Sequence, residues 1–285
     1  MLEGEYIKNN TRFCKPPRFN ENHLIERNII FIYSDTIKED VINLLNEDGI
    51  NTIRLTTHNY KLDNIDFLKN YDLSFIESID ILSDSIKNID GIYSLKNLKA
   101  ISSKNSNIDY TQFENLKSVG INIVDKYIID KLSMTTNLER LSLMNKYSET
   151  DLNKISGNKK MKQLTIRGSK LTSLKGLESF PELESLELFH NRSLLSLEGI
   201  TENHIKLKKI YIYIAPKLFK VNEYLIKLTR LKYLQLEAKE IDSFKFLNSL
   251  NELELVGIHN LLNNSEDGDK EPLLKALKRT NGQIW

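Results

Sequence analysis

Five histidines, His23, His58, His190, His204 and His259, are the side chains of this sequence best suited to carrying a proton or holding a metal. None stands in a ligand spacing such as HExxH, so each reads as a surface or packing residue and no metal site is assigned. Nucleotide chemistry has no better footing. Glycine is sparse at 11 residues, and neither the P-loop spacing nor the dinucleotide fingerprint occurs; Gly168-Ser-Lys170 lacks the upstream glycine of a phosphate cradle. The serines include no G-x-S-x-G elbow, and the acidic pair Glu252 and Glu254 alternates as solvated strand residues do. Cys14 is the single cysteine, so it can form no internal disulfide and has no neighbouring thiol for a metal knuckle. No catalytic residue and no cofactor is therefore assigned, and the chain reads as a non-enzyme.

Composition narrows the class further. Forty Lys+Arg against 39 Asp+Glu give a formal charge of +1, which lacks the basic excess of a nucleic-acid or anionic-membrane binder. No run approaches the roughly 18 apolar residues of a membrane span, and MLEGEYIKNN has no apolar core of a secretory signal. A cytoplasmic location is the expectation.

What the chain does have is an echo. Leu164-Thr-Ile166 returns as Leu186-Glu-Leu188, and the phrase "apolar, two residues, apolar, one residue, apolar" recurs throughout. It occupies Ile76/Ile79/Ile81, Leu116/Val119/Ile121, Leu138/Leu141/Leu143, Met161/Leu164/Ile166, Leu183/Leu186/Leu188, Leu207/Ile210/Ile212, Leu231/Leu234/Leu236 and Leu250/Leu253/Leu255. A degenerate copy at Leu98/Ile101 ends on Ser103, and Ile50/Ile53/Leu55 is a candidate tenth. Successive starts from Ile76 are 22, 18, 22, 23, 22, 24, 24 and 19 residues apart. Alternation such as Leu-Glu-Leu buries one side of a short strand, and the triplet spacing of Leu171, Leu174, Leu177 and Phe180 turns the chain back over the same core. One coil cannot bury that core alone, so stacking is the only way to close it.

With these residues on the page, the stretch LTIRGSKLTSLKGLESFPELESLEL resembles the leucine-rich repeat family, in its 22-residue, internalin-like class, over residues 50 to 257. The resemblance implies an α/β leucine-rich repeat solenoid, with a parallel sheet on its concave face and short helical or irregular convex segments. The family's asparagine, eight residues after the first leucine, is present as Asn191. It is replaced by Asp84, Ser106, Val124, Lys146, Ser169, Ala215 and Lys239, so its side-chain ladder is expected to be patchy.

The ends of such a stack need covers. Ile29 to Tyr33 reads as a strand, and Thr36 to Glu39 resembles a capping box opening a helix to Asn46 that Gly49 stops, so residues 28 to 49 read as an atypical capping unit. Residues 1 to 27 show no periodicity and are assigned only as an arm. From 258 to 285 a polar loop leads to a closing helix, with Pro272 at its first position, Leu273, Leu274 and Leu277 as its apolar stripe and Asn281-Gly282 as its end.

The register also lays out the solvent side of the strands. Third positions are Arg140, Gln163, Ser185, Lys209, Tyr233 and Glu252; fifth positions Ser142, Thr165, Glu187, Tyr211, Gln235 and Glu254; seventh positions Met144, Arg167, Phe189, Tyr213, Glu237 and Val256. With strands about 4.8 Å apart, Phe189, Tyr211, Tyr213 and Tyr233 fall together. Arg140, Arg167, Glu187, Glu237, Glu252 and Glu254 surround them. Aromatics of this kind mark the centres of protein interfaces, and the glutamates disfavour phosphate, pointing to a protein partner with a basic surface rather than to nucleic acid or membrane. The Ile/Asn/Lys-rich composition looks bacterial, and by analogy with the family the chain reads as an immunity protein or inhibitor that neutralises a toxin. A secreted effector that binds a host protein and an enzyme with a dispersed site stay open as alternatives.

Overall fold

Each recurring phrase becomes one strand, and its three apolar residues become one layer of core. In the computed structural model Ile53, Ile79, Leu141, Leu164, Leu186, Ile210 and Leu234 are fully buried, and they face one another in register along parallel pairs. The structure describes residues 5–8, 11–14, 29–32, 46, 49–57, 60–104, 107–122, 124–238, 241–260, 265–280 and 283–284. The chain divides into two compact units, Met1–Ile123 and Val124–Trp285.

The first unit carries β1 (Glu5–Lys8), β2 (Thr11–Cys14), β3 (Ile29–Phe31), β4 (Thr52–Thr56), β5 (Ser78–Leu82), β6 (Ala100–Ser103) and β7 (Ser118–Ile121). β1 and β2 pair antiparallel, and β2 pairs antiparallel with β3. From β3 to β7 every pairing is parallel. Part of the region read as an arm is therefore strand, bonded to the first member of the parallel stack. The candidate tenth phrase is a true coil, with Ile50, Ile53 and Leu55 at most 2% exposed. The strand expected at Ile29 to Tyr33 is Ile29–Phe31. The helix expected after Thr36 lies outside the described residues except for Asn46, while Gly49 adopts φ +65° and donates its N–H to Asn46 O.

The second unit carries β8 (Arg140–Leu143), β9 (Gln163–Arg167), β10 (Ser185–Phe189), β11 (Lys209–Ala215), β12 (Tyr233–Ala238), β13 (Leu255–Asn260) and β14 (Gln283–Ile284), parallel in sequence order. The helix Lys126–Ser133 leads into β8, and short helices such as Asn222–Leu225 and Glu271–Thr280 return the chain between later strands. The returns are tight. A Cβ at Gly199, where φ is +113°, would sit 2.0 Å from Leu174 O of the preceding coil, so only glycine fits.

Where the asparagine ladder fails, other residues fill the gap. Asn191 is fully buried, accepts from the Ser169 hydroxyl and donates to Ile166 O at 3.2 Å. Tyr60 and Tyr147, also fully buried, each donate to a carbonyl four residues on, Asn64 O at 2.7 Å and Asp151 O at 2.9 Å. Burial, reinforced by Glu149 and Asp151, pushes the Tyr147 phenol above its ordinary range.

Two expectations at the C-terminal end need correction. β13 pairs Tyr233 with Leu255 and Leu234 with Val256. Its inward triad is thus Leu253/Val256/Ile258, at 5%, 0% and 2% exposure, while Leu255 faces out at 37%. The phrase Leu250/Leu253/Leu255 fits the apolar pattern equally well, but only Leu253 lies one 22-residue step beyond Leu231. The strand also runs past residue 257, to Asn260. In the closing helix, Leu273, Ala276 and Thr280 face in and Leu274 is 59% exposed, because the buried side follows a three-to-four residue step from Leu273.

Candidate functional site

Alternation on β8 to β13 turns every second side chain outward, and the observed register decides which ones meet. Glu187 stands beside Tyr211, Phe189 beside Tyr213, Lys209 beside Tyr233 and Tyr211 beside Gln235. The four expected aromatics therefore share one surface. They are not stacked on one another: a lysine is interleaved, with Lys209 Nζ 4.2 Å from the Tyr211 ring centroid and 2.5 Å from Glu187 Oε1. Thr165 Oγ1 reaches the other Glu187 oxygen at 3.5 Å. Tyr213 is 53% exposed and meets the His190 ring edge-on, centroids 6.4 Å apart.

Two glutamates of the expected charged rim are neutralised from within. Besides the Glu187–Lys209 pair, Glu254 accepts from Lys232 Nζ at 2.6 Å and from the Tyr233 hydroxyl at 2.6 Å. Those hydrogen bonds, the lysine's first, hold the Glu254 carboxyl below its usual range and raise both Lys232 and Tyr233. Glu254 and Glu252 do not occupy the outward rows in which the sequence put them. With β13 shifted, both precede the strand, and Leu255, Gly257 and His259 take the third, fifth and seventh places. Val256, expected outward, is core.

Arg140 lies on β8 beside Gln163, and Arg167 ends β9 beside Phe189. Burial holds the Arg140 guanidinium below its ordinary range against the opposing pull of Glu187, and its buried Nε makes no hydrogen bond among the described residues. Glu237 lies on β12 beside His259, and among the described residues its carboxylate makes no ion pair and no hydrogen bond; of the rim glutamates Glu252, ahead of β13, shares that state.

Glu237 borders a depression of about 390 Å³, lined also by Tyr213, Gln235, Gly257, His259 and the strand positions Ile212 and Leu236. Sequence reasoning had placed Tyr213 and Glu237 on this surface but missed the hollow between them, and it missed Lys209, His190 and His259 as participants. The hollow coincides with a bulge. Ile212 pairs with Leu236 but Ala215 with Ala238, so Tyr213 and Ile214 together oppose Glu237.

The remaining histidine with defined contacts is structural. His204 is 3% exposed; its Nδ1 accepts from Thr201 N–H at 3.0 Å, and Nε2 then carries the proton donated to Leu177 O at 3.0 Å. Among the described residues no three His, Cys, Asp or Glu gather as a metal site, and no helix is long and apolar enough to cross a membrane.

No protein-family model matches the chain. No curated protein sequence matches it either. Among solved structures it is similar to an internalin, InlF of Listeria monocytogenes, with a TM-score of 0.59 at 17% identity, covering 85% of this chain and 69% of that one. Internalin C2 of the same organism matches with a TM-score of 0.48 at 18% identity, covering 75% and 83%. The likeness to InlF shows the fold, and with the repeats above it makes this a leucine-rich repeat structure.

Proposed function

We propose that this chain is a non-enzymatic protein that binds another protein on the outward face of β9 to β13, with Phe189, Tyr211, Tyr213 and Tyr233 at the centre. One observation carries the reading: these aromatics lie on the solvent side of strands whose opposite side already closes the core, so packing asks nothing of them. Two lysine–glutamate pairs, Lys209–Glu187 and Lys232–Glu254, stand around them already formed, which suits a preformed surface rather than a reactive centre. Arg167 and the Lys209–Glu187 and Lys232–Glu254 pairs form its border. Within this class we propose a bacterial, cytoplasmic inhibitor of the immunity type; Glu237, uncompensated in its hollow, supports a partner with basic groups.

The test is quantitative affinity against a partner recovered from the native cell. The Tyr211→Ala/Tyr233→Ala variant should fold normally and bind at least about thirtyfold more weakly. Undiminished affinity would move the site off this face. A toxin as the recovered partner supports the immunity reading, and a host protein supports the effector alternative.

A further inference from the structure

On the strength of that reading, we propose that the depression between Tyr213, Glu237 and His259 is a subsite for one guanidinium group, an arginine side chain of the partner protein.

Three independent features converge on it. The first is charge. Glu187 and Glu254 are both engaged by a lysine one coil away, yet Glu237 is left without any partner among the described residues. A half-buried carboxylate with no counter-charge of its own is open to a cation.

The second is shape. A planar guanidinium stacks on an aromatic ring while its N–H fork meets a carboxylate, and the hollow offers one of each, the Tyr213 ring and the Glu237 carboxylate, with the Gln235 amide as a further acceptor. Gly257 contributes no side chain to the fifth outward place on β13, so nothing fills the hollow from that strand. His259 forms its far wall.

The third is backbone strain. Ile214 sits at φ +59°, a left-handed conformation that a β-branched residue rarely adopts. Its counterparts in the two preceding coils, Gly168 and His190, are also left-handed, at +65° and +57°. The repeat demands this turn, but only in β11 is it met by isoleucine within a bulge that sets two residues opposite Glu237. A bulge sets an extra residue opposite Glu237 at the edge of the hollow, the kind of cost that persists where a site gains from it.

The probe is n-butylguanidinium, titrated into the intact isotope-labelled chain at low salt, with the isosteric neutral n-butylurea as control. Saturable shifts are expected at the backbone amides of Tyr213, Glu237, Gly257 and His259 with the cation and not with the urea. Glu237→Gln should weaken that binding by about tenfold. Tyr211→Ala/Tyr233→Ala, which leaves the lining intact, should retain it. Absent shifts, equal shifts with the urea, or an unaffected Glu237→Gln would overturn the subsite. The two readings fail separately: a lost subsite with partner binding still sensitive to Tyr211 and Tyr233 leaves the aromatic face standing. Guanidinium binding with a partner indifferent to those tyrosines would remove the face instead.

Discussion

The outward face of β4 and β5 and the outward face of β11 to β13 have the same alternating register and opposite uses. On the first, Thr52, Ser78 and Asp80 point away from the core triads yet are at most 2% exposed. Arg54 meets Asp80 there through Nε and Nη2, both at 2.7 Å. On the second, Tyr213 is 53% exposed, and among the described residues the Glu237 carboxylate has no partner. A polar group satisfied inside the chain contributes to holding the fold, whereas one left unsatisfied at a surface is available to something else. Charge alone does not distinguish Asp80 from Glu237. Pairing does.

The largest expected effect sharpens the contrast between inside and outside. Val256→Asp places a carboxylate in the core of β13 and should cost about 4–5 kcal/mol, enough to unfold the last coils. The neighbouring Leu255→Asp faces solvent and should cost about 1 kcal/mol. Urea titrations of the two variants decide the register, since the phrase Leu250/Leu253/Leu255 demands the reverse order.

Next comes the closed face. Asp80→Ala removes the buried carboxylate that Arg54 meets at 2.7 Å and should lower protection of the β5 amides in hydrogen exchange by about 2–3 kcal/mol. Replacing both partners with apolar residues, Arg54→Met/Asp80→Leu, should recover most of it. Glu237→Gln, on the open face, should change stability by no more than about 0.5 kcal/mol. Equal losses at Asp80 and Glu237 would erase the distinction between the two faces.

Binding should be graded in the same way. Tyr213→Ala should weaken a protein partner by about thirtyfold, about 2 kcal/mol, with an unchanged unfolding midpoint. Glu237→Gln should cost about tenfold, and Glu187→Ala only a fewfold, because Lys209 already compensates Glu187. If the two glutamates weigh the same, pairing is not what separates them.

How much of this was legible follows from particular residues. Leu186 and Leu188 announce their burial because alternation and a near-constant step leave one consistent register. At Leu250 to Ile258 apolar residues occur at too many positions, two phrases overlap, and periodicity alone selects neither. The rim glutamates could be placed on the surface but not known to be neutralised, since that depends on side chains reaching across coils. A signal was nonetheless present: Lys209 follows Glu187, and Glu254 follows Lys232, by one 22-residue step. The hollow was invisible, because isoleucine is among the last residues expected in a left-handed turn; the 24-residue steps either side of Leu207 left room for the extra residue.

The smallest expected effect tests that turn. Ile214 is half-buried, so truncation to glycine gives up about 1 kcal/mol of apolar burial and adds backbone freedom to the unfolded chain. Against this, glycine relieves roughly 1–2 kcal/mol held in the left-handed isoleucine. The terms offset, and Ile214→Gly should leave the unfolding free energy within about 0.5 kcal/mol of the parent. Ile212→Gly, two residues earlier and 1% exposed with ordinary strand geometry, has no strain to release and should cost about 4 kcal/mol. Relaxing the bulge should also let Tyr213 settle toward Glu237 and reduce n-butylguanidinium binding, although neither lining side chain is altered. A stability loss at Ile214 approaching that at Ile212 would mean that the turn stores no strain, and the hollow would then be an accident of side-chain size.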